Sequence, residues 1–291
     1  MELVALRTFQ AVVEEGGILA ASRRLHTVQS NVTSRIRRLE EELGTELFHR
    51  AGRGLELAAS GKVLLDYTRR MLALERQLLA AVRDAGDGVG ELRIGAMETF
   101  AALHLPPALK VLRQSRPALE LRIQTDTSAA LIEQVLQHRL DCAFIAGPVV
   151  HAELEWRALI EEELVQVHAA GVDPARLPLI LFREGCAYRA RALAWQRGSG
   201  RPLRDVMEFG TVEGILGCVS VGLGWTLMPR RIVQQSGHAA ELVIEPVPAE
   251  IGRICTGMVA LRDSAAPAAL RCLGDALASL DPEVEPRGPS Q

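Results

Sequence analysis

Apolar residues recur at helical spacing through the first 60 residues and predict three short helices. The first helix carries Leu3, Leu6, Phe9 and Val13 on one face and ends at Gly16. A second helix is predicted over residues 18–24. The third helix has an apolar stripe at spacings of four, four, three and four, formed by Val28, Val32, Ile36, Leu39 and Leu43. Gly44 follows this stripe and predicts the C-terminal stop of the third helix.

The residues after the third helix predict a small hairpin and then one long helix. The stretch RAGRGLEL (50–57) is typical of a hairpin, with Gly52 and Gly54 in its turn. Apolar residues then alternate at spacings of three and four, which is the pattern of a helix that pairs with another helix. These residues are Leu64, Tyr67, Met71, Leu74, Leu78 and Val82. Ser60 is the predicted N-cap of the long helix, and the glycine-rich segment 84–90 is a predicted linker.

Strand-like and helical patterns alternate from residue 91 onward, which predicts an α/β domain with a buried, mostly parallel sheet. Predicted strands begin with ELRIGAM (91–97), LELRIQT (119–125) and DCAFIAG (141–147), and a second set starts near Leu164. Two such sets favour two lobes with a cleft between them. The predicted divisions are residues 1–60, 61–88 and 89–291, with one lobe over about 89–163 and 263–285 and the other over about 164–262.

The third helix has a polar face of short hydroxyl side chains and arginines. With 100° per residue, Ser30, Thr33, Ser34, Arg37 and Arg38 point away from its apolar stripe. Gln29 and Asn31 lie on the flanks. Five arginines and no acid occur between Ser22 and Arg38, among them Arg23 and Arg35. Short side chains allow a helix to enter the major groove of DNA, and arginines bind bases or phosphates. An ordinary solvated helix face is the alternative interpretation.

Composition narrows the class of protein. The chain has 291 residues, 48% of them hydrophobic and 24% charged, with a net charge of −3, so any DNA-binding charge must be local. The sequence shows neither a signal peptide nor an apolar run that could span a bilayer. Its five cysteines lack the spacing of a disulfide framework or a zinc site. We therefore expect a cytoplasmic protein with reduced thiols and no membrane association.

The first 61 residues resemble the LysR-type transcriptional regulators. The resemblance rests on Phe9, Val12, Gly16, the stretch AASRRLHTVQSNVTSRIRRLEEELGTELFHR (20–50), and Arg53, Leu57 and Gly61. It extends over the whole chain. It implies a winged helix-turn-helix, a long linker helix, and a two-lobed effector domain like that of periplasmic binding proteins. It also implies a dimer or tetramer that binds promoter DNA and a small-molecule effector.

Residue roles implied by the resemblance concentrate on the third helix and the hairpin. The family's base-facing positions fall on Gln29, Ser30, Thr33, Ser34 and Arg37. Where an arginine is frequent this chain has Ser34, and its arginine follows at Arg35, near the buried stripe. We therefore expect Arg35 to contact phosphate rather than bases. Arg50 and Arg53 in the hairpin are expected to bind phosphate or to enter the minor groove.

Effector contacts are expected where strands end at the cleft. Thr99 and Glu98 follow the first strand, and Ser128 starts a helix after the next. N-capping is an equally good interpretation of the two hydroxyls. The segment FREGCAYR (182–189) resembles a branch of the family with Gly-Cys-x-Tyr-Arg here. Cys186, Tyr188 and Arg189 are expected in the pocket, with Glu213 and Gly214 facing them.

Two questions about this pocket stay open at the level of sequence. Cys186 is interpreted either as a pocket residue or as a redox sensor, because nearby arginines and a helix N-terminus lower a thiol pKa. Arg189 suggests a carboxylate on the effector, and Glu98 with Glu213 suggests an amine. Together they suggest an amino acid or a related metabolite.

Two other classes of protein are weighed against a regulator. An enzyme is disfavoured, because there is no GxSxG, no Walker A loop and no helix-opening GxGxxG, and the histidines lack metal-ligand spacing. No cofactor or metal is therefore expected. A ligand-binding protein without DNA activity would leave residues 1–60 unexplained.

Overall fold

The computed structural model describes residues 1–51, 54–84, 91–199, 205–262 and 268–280. The chain divides into two compact units, of which the first comprises residues 1–83 and 137–139 and the second residues 84–136 and 140–291. The predicted linker residues 85–90 lie outside the described residues.

The first unit contains the predicted three helices, hairpin and long helix. Its elements are α1 (Leu3–Glu14), α2 (Ile18–Arg24), α3 (Gln29–Leu43), β1 (Phe48–Ala51), β2 (Gly54–Leu57) and α4 (Ala59–Asp84). The two strands pair antiparallel, with Phe48 opposite Leu57. The core of this unit is aliphatic apart from Phe9, and its buried members include Leu6, Val12, Ala21, Val32, Ile36, Leu39 and Leu47. This core holds α3 by its apolar stripe and leaves the opposite face outside.

The stripe on α3 is shorter than the sequence predicts. Val32, Ile36 and Leu39 are buried, whereas Val28 is 60% exposed and Leu43 is 41% exposed. Val28 is the N-cap residue with extended backbone, so it does not share the helical phase of the residues that follow. The predicted stop of the helix at Gly44 is confirmed, because this residue ends α3 with a φ of +67°, which glycine adopts without strain.

The start of α4 differs from the prediction. Ser60 is not the N-cap, because the helix begins at Ala59 and the Ser60 hydroxyl donates to the backbone oxygen of Glu46. Leu65 and the ion pair of Arg7 with Glu75, at 2.6 Å, attach α4 to the rest of its unit. Leu64, the first residue of the predicted pairing seam, packs against this core, whereas the rest of the seam lies outside it. Five of its residues are 40% to 66% exposed, namely Tyr67, Met71, Leu74, Leu78 and Val82.

The second unit is α/β, as the sequence predicts. Its strands are β3 (Glu91–Ala96), β4 (Glu120–Thr125), β5 (Cys142–Gly147), β6 (Leu154–Ala169), β7 (Leu179–Phe182), β8 (Val206–Phe209), β9 (Thr226–Pro229), β10 (Leu242–Pro246) and β11 (Arg253–Leu261). Its helices are α5 (Glu98–Leu103), α6 (Leu105–Ser115), α7 (Ser128–Leu136), α8 (Ala187–Gly198), α9 (Val212–Ser220), α10 (Arg230–Gln235), α11 (Ala249–Gly252) and α12 (Ala268–Leu280).

The main sheet is mixed rather than mostly parallel. Its strand order is β10-β6-β11-β5-β3-β4, and β9 also pairs with β6. Only β3 with β4 and β3 with β5 are parallel, whereas β11 runs antiparallel to both β5 and β6. The strands β8, β10 and β11 are not among the sequence predictions. A separate pair, β7 with β8, is parallel.

One strand runs through both lobes. The first half of β6 pairs with β11, and the second half, from Leu164, pairs with β9 and β10. The predicted lobe boundary at 163/164 coincides with this change of partner. The other boundary, at 262/263, is wrong, because residues 253–261 form β11 and pair with β5 of the first lobe. Below, "first lobe" means β3, β4, β5, β11 and the start of β6 with α5–α7 and α12, and "second lobe" means β7–β10 and the end of β6 with α8–α10.

No helix in the part of the chain that the structure describes is long and apolar enough to cross a membrane. Within the same residues, no group of three or more histidine, cysteine or acidic side chains is arranged to hold a metal ion. All five cysteines are free thiols, and Cys142 is buried in β5.

Candidate functional site

The outward face of α3 is polar and carries no acidic side chain over its first ten residues. Gln29, Ser30, Asn31, Ser34, Arg37 and Arg38 are exposed, whereas Thr33 and Arg35 are half-buried. We call these eight residues the α3 surface. The buried stripe on the opposite side fixes the rotation of the helix, so the exposed hydroxyl, amide and guanidinium groups point outward together, whereas the Arg35 guanidinium turns toward α1. Such a set of groups suits base edges and phosphates in a major groove.

Two side chains of the α3 surface are already restrained by local hydrogen bonds. The Thr33 hydroxyl donates to the backbone oxygen of Gln29 at 2.9 Å, and the Asn31 amide nitrogen donates to the Thr27 hydroxyl at 3.1 Å. Thr33 therefore offers an acceptor, but not its hydrogen, to a partner in front of the helix.

Arginines of the helical unit divide into those that face outward and those that pair inside the unit. Arg23 is exposed. Arg24 pairs with Glu14 at 2.7 Å and Glu15 at 3.0 Å, and the hydrogen bond that it donates to the Glu14 carboxylate raises the pKa of this arginine. Arg35 points toward α1, where its Nη1 lies 3.4 Å from the Thr8 hydroxyl.

The hairpin arginines are only partly described. Arg50 lies in β1, where its backbone pairs with Leu55, but its side chain lies outside the described structure, as does all of Arg53. The expected phosphate contacts of both remain predictions.

A cavity that is partly open to solvent lies between the two lobes of the second unit. The first lobe contributes the end of β3 and the start of α7, and the second lobe contributes the loop between β7 and α8. The lining residues are Met97, Glu98, Thr99, Thr125, Asp126, Thr127, Ser128, Phe182, Arg183, Cys186, Tyr188 and Gly210. Five expected effector residues are therefore together: Glu98, Thr99, Ser128, Cys186 and Tyr188.

A chain of buried hydrogen bonds runs from this cavity to β6. The Thr99 and Tyr188 hydroxyls are 3.2 Å apart, and Tyr188 donates to Oε2 of Glu162 at 3.2 Å. The same oxygen accepts from the Thr256 hydroxyl at 2.5 Å. His104 lies near the other carboxylate oxygen, with Nε2 3.5 Å from Oε1. Burial, and then the charge of Glu162, raise the pKa of Tyr188 well above its usual range, so the phenol keeps its proton.

Sequence reasoning missed Glu162, and no local signal could have found it. It stands in β6 among Glu161 and Glu163, both of which are exposed. Only its side chain, 6% exposed, turns inward to the network. The alternation of inward and outward positions along a strand would have shown this only if β6 had been recognised over residues 154–163.

The first lobe places a second buried hydroxyl at the cavity. Ser128 is 6% exposed, and its hydroxyl donates to Sδ of Met97 at 3.1 Å. The serine hydrogen is thus directed to the protein, and its oxygen lone pairs remain available. Ser128 is the first residue of α7, which agrees with its predicted place on the chain.

The loop between β7 and α8 approaches α7 closely because it contains Gly185. This residue has a φ of +89°, and a side chain there would lie 2.7 Å from the Thr127 hydroxyl. The Gly185 oxygen accepts from the backbone N–H of Ala129 at 3.3 Å. The close approach brings Arg183 to the cavity, where its Nη2 lies 3.7 Å from a carboxylate oxygen of Asp126.

Three expected effector residues are placed elsewhere. Arg189 does not line the cavity, because Nη1 donates to the Phe182 backbone oxygen and to Glu208, both at 2.8 Å. Glu213 is 74% exposed and lies 2.9 Å from Nε2 of His238. Gly214 donates its N–H to the Thr211 hydroxyl at 3.2 Å in a helix cap. The cleft is thus formed without the residues that open α9.

Cys186 faces the cavity with a thiol that burial keeps protonated. Desolvation raises its pKa, and the opposing effect of the backbone N–H groups of Arg189 and Tyr188 is smaller. Of the two interpretations that the sequence left open, this arrangement favours the pocket residue, because burial outweighs the N–H groups and the Arg189 charge, which lower the pKa of the thiol.

Models of two protein families match the two units of the chain. "Bacterial regulatory helix-turn-helix protein, lysR family" matches residues 3–62, and "LysR substrate binding domain" matches residues 85–281. The chain belongs to the LysR family. Among curated LysR relatives, YusT of Bacillus subtilis strain 168 is 39% identical over 279 residues, which cover 94% of this chain and 95% of that protein. SoxR of an Arthrobacter species is 36% identical over 268 residues, which cover 91% and 92%.

Solved structures of LysR proteins share the fold. A full-length OxyR variant of Pseudomonas aeruginosa matches with a TM-score of 0.72 at 22% identity and covers 95% of this chain and 94% of its own. CbnR bound to its target DNA matches with a TM-score of 0.67 at 21% identity and covers 97% and 100%. This LysR chain is therefore a DNA-binding transcription regulator with an effector-binding domain, not an enzyme. Its binding partners are therefore DNA and a small-molecule effector.

Proposed function

We propose that the α3 surface is the part of this regulator that binds the operator. The observation that supports this is the joint exposure of Ser30, Ser34, Arg37 and Arg38 on one helix face without an acid among them. Arg37 and Arg38 would neutralise phosphates or bind guanine, and the short serine side chains would let the helix approach the bases. Arg35, whose Nη1 lies 3.4 Å from the Thr8 hydroxyl of α1, would contact phosphate rather than read bases.

The test of this proposal is a DNA-binding titration with a labelled fragment from upstream of the protein's own gene. Arg37→Ala should lower specific affinity by about 1–3 kcal/mol if Arg37 binds a base. If it binds phosphate, the affinity should fall similarly on all sequences and the salt slope should decrease by about one. Arg176→Ala, at an exposed position of the effector domain, is the matched control. Unchanged binding in Arg37→Ala and Ser34→Ala together would refute the proposed surface.

We propose further that the cavity between the lobes binds an effector with an amine, such as an amino acid or a related metabolite. Glu98 and Asp126 supply negative charge at its first-lobe side, and Thr99 and Ser128 supply hydroxyl oxygens. Arg183 is the nearby cation that a carboxylate on the effector would bind, in place of Arg189.

A thermal-shift screen of amino acids, amines and their desamino analogues tests the proposed effector class. A ligand that prefers the folded state raises the melting temperature in a concentration-dependent way. Hits should include an amine and should change operator affinity in the titration above. Stabilisation only by desamino acids would refute the proposed class.

The remaining expectations complete this proposal. The exposed apolar stripe on α4 would form the contact between copies, as a dimer or a tetramer. Residues 1–60 would form the DNA-binding domain, and 61–88 the linker helix and hinge that join it to the effector domain. The segment Gly185, Cys186, Tyr188 and Arg189 would mark a branch of the family. Action on promoter DNA favours the cytoplasm as its location.

A further inference from the structure

A buried carboxylate outside the cavity controls which hydrogen-bonding groups the cavity wall can present. Glu162 belongs to β6, and its side chain does not line the cavity. As a carboxylate it can only accept hydrogen bonds. Its Oε2 accepts from Tyr188 and Thr256, so the hydroxyl hydrogen of Tyr188 is directed inward, away from the cavity.

The direction of the Tyr188 hydroxyl hydrogen determines the direction of the hydrogen bond between Tyr188 and Thr99. With its hydrogen directed to Glu162, the Tyr188 oxygen can accept from Thr99, whose hydroxyl is 3.2 Å away. Thr99 is 1% exposed and lines the cavity. Once its only hydroxyl hydrogen is donated to Tyr188, its oxygen can do nothing but accept from a ligand.

We infer that Glu162 is a positioning residue that fixes the direction of the Thr99–Tyr188 hydrogen bond and so selects effectors with an N–H or O–H donor facing Thr99. This inference rests on the proposed effector cavity and deepens it. Ser128 supports the same conclusion independently, because its hydrogen is directed to Met97 and its oxygen is also left to accept. The first-lobe wall therefore suits an ammonium or hydroxyl group and disfavours a carboxylate.

The experiment uses three small probes and the full-length protein. Methylammonium donates N–H bonds, tetramethylammonium has the same charge without a donor, and acetate can only accept. The chain has two tyrosines, so fluorotyrosine incorporated into a Tyr67→Phe background reports Tyr188 alone by fluorine NMR. Tyr67 is 58% exposed on α4, so this background leaves the cavity unchanged.

Methylammonium should shift the Tyr188 resonance saturably, with at least about tenfold higher affinity than tetramethylammonium. Tenfold corresponds to about 1.4 kcal/mol, within the range of a hydrogen bond to a charged group. Acetate is tested in an Arg183→Ala background, which removes the cation proposed to bind a carboxylate, and should give no saturable shift there. Equal binding of the two cations, a saturable acetate shift in that background, or no response to any probe would overturn the inference.

Variants test whether the preference for methylammonium comes from the hydrogen-bond chain Glu162–Tyr188–Thr99, called the relay below, or from charge attraction alone. Glu162→Leu leaves Tyr188 free to donate to Thr99, so the preference for methylammonium over tetramethylammonium should fall toward equality. Thr256→Val removes the other donor to Glu162 but keeps the relay, so it should retain the preference. A preference retained in Glu162→Leu, or lost in Thr256→Val, would contradict the role of Glu162.

Thr99→Val keeps the test decisive if Glu162→Leu does not fold. It removes the accepting oxygen with little change of shape, and it should abolish the preference between the two cations. An unchanged preference in this variant would overturn the inference. The metabolite screen and the operator titration test whether the cavity binds an effector at all. A failed prediction for Glu162 can therefore be distinguished from a failure of the proposed effector cavity.

Discussion

The guanidinium of Arg189 donates to Glu208 at 2.8 Å and, with the same nitrogen, to the backbone oxygen of Phe182. These bonds join the start of α8 to both strands of the β7–β8 pair. The arginine that the sequence suggests for an effector carboxylate is therefore a structural residue of the second lobe, and Arg183 is the cation beside the cavity.

Replacing each of the two arginines by alanine, one at a time, distinguishes these roles. We expect Arg183→Ala to weaken binding of a carboxylate-bearing effector about tenfold while leaving the melting temperature of the free protein nearly unchanged, because Arg183 is 57% exposed. Arg189→Ala should lower the free energy of unfolding by about 1–3 kcal/mol, since it leaves Glu208 and the Phe182 oxygen without their donor. Chemical denaturation and effector titration of both variants measure this. The reverse pattern would restore Arg189 to the pocket.

Cys186 should react slowly with thiol reagents near neutral pH. Its raised pKa means that little thiolate is present there, and the rate should still be climbing above pH 9. Iodoacetamide labelling followed over pH, with each cysteine quantified by mass spectrometry, gives the rates. A plateau of the Cys186 rate near neutral pH would indicate a reactive sensor thiol instead.

Stability should fall at alkaline pH because of Cys142. Complete burial raises the pKa of this thiol in the folded state, so the folded protein keeps a proton that the unfolded chain loses above about pH 8.5. The contribution is fully present below that pH and declines by up to about 1.4 kcal/mol per pH unit as pH rises toward the folded pKa. Cys142→Ala should show a shallower decline in unfolding free energy between pH 8.5 and 10. Identical pH profiles would contradict the assignment.

The exposed stripe on α4 should control assembly. Leu74→Glu or Leu78→Glu places a charge on a stripe that we expect to be buried between copies, so the protein should dissociate toward monomers and bind operator more weakly. Sedimentation velocity measures the mass. Lys62→Glu, an exposed position of α4 outside the stripe, is the control and should leave the mass unchanged. Dissociation in the control, or none in the stripe variants, would place the contact elsewhere.

The helical unit was predictable almost element by element, because its helices are amphipathic and two of them, α1 and α3, end close to a glycine. Periodicity identified α1 to α4 within a few residues. It placed Val28 in the stripe, since a hydrophobic pattern does not reveal where helical backbone begins. The prediction of Ser60 as the N-cap was wrong because its hydroxyl donates to the backbone oxygen of Glu46, a partner distant in sequence that a local pattern does not reveal.

The second unit was predictable in class but not in topology. Buried apolar strands such as β5 have a clear pattern, whereas the first half of β6 mixes charged and apolar residues. Both this half and β11 join the sheet through non-local pairing. The residues of the cavity were likewise predictable only where their position on the chain decided their place. Residues at strand ends, such as Thr99 and Ser128, were found by position, but Arg189 depended on whether Glu208 or an effector would hold it.

Because β6 runs through both lobes, it has a mechanical consequence for how effector binding in the cavity changes the relative position of the lobes. Its ladder partners change between Glu163 and Leu164, and Arg230 of the second lobe holds Glu163 there at 2.6 and 2.9 Å. Backbone torsion at this point would turn one lobe against the other while preserving both ladders, so we expect it to be one of the points about which the lobes rotate. Glu162 lies next to this point, so a small angular change at the cavity would become a larger displacement at the far ends of the lobes.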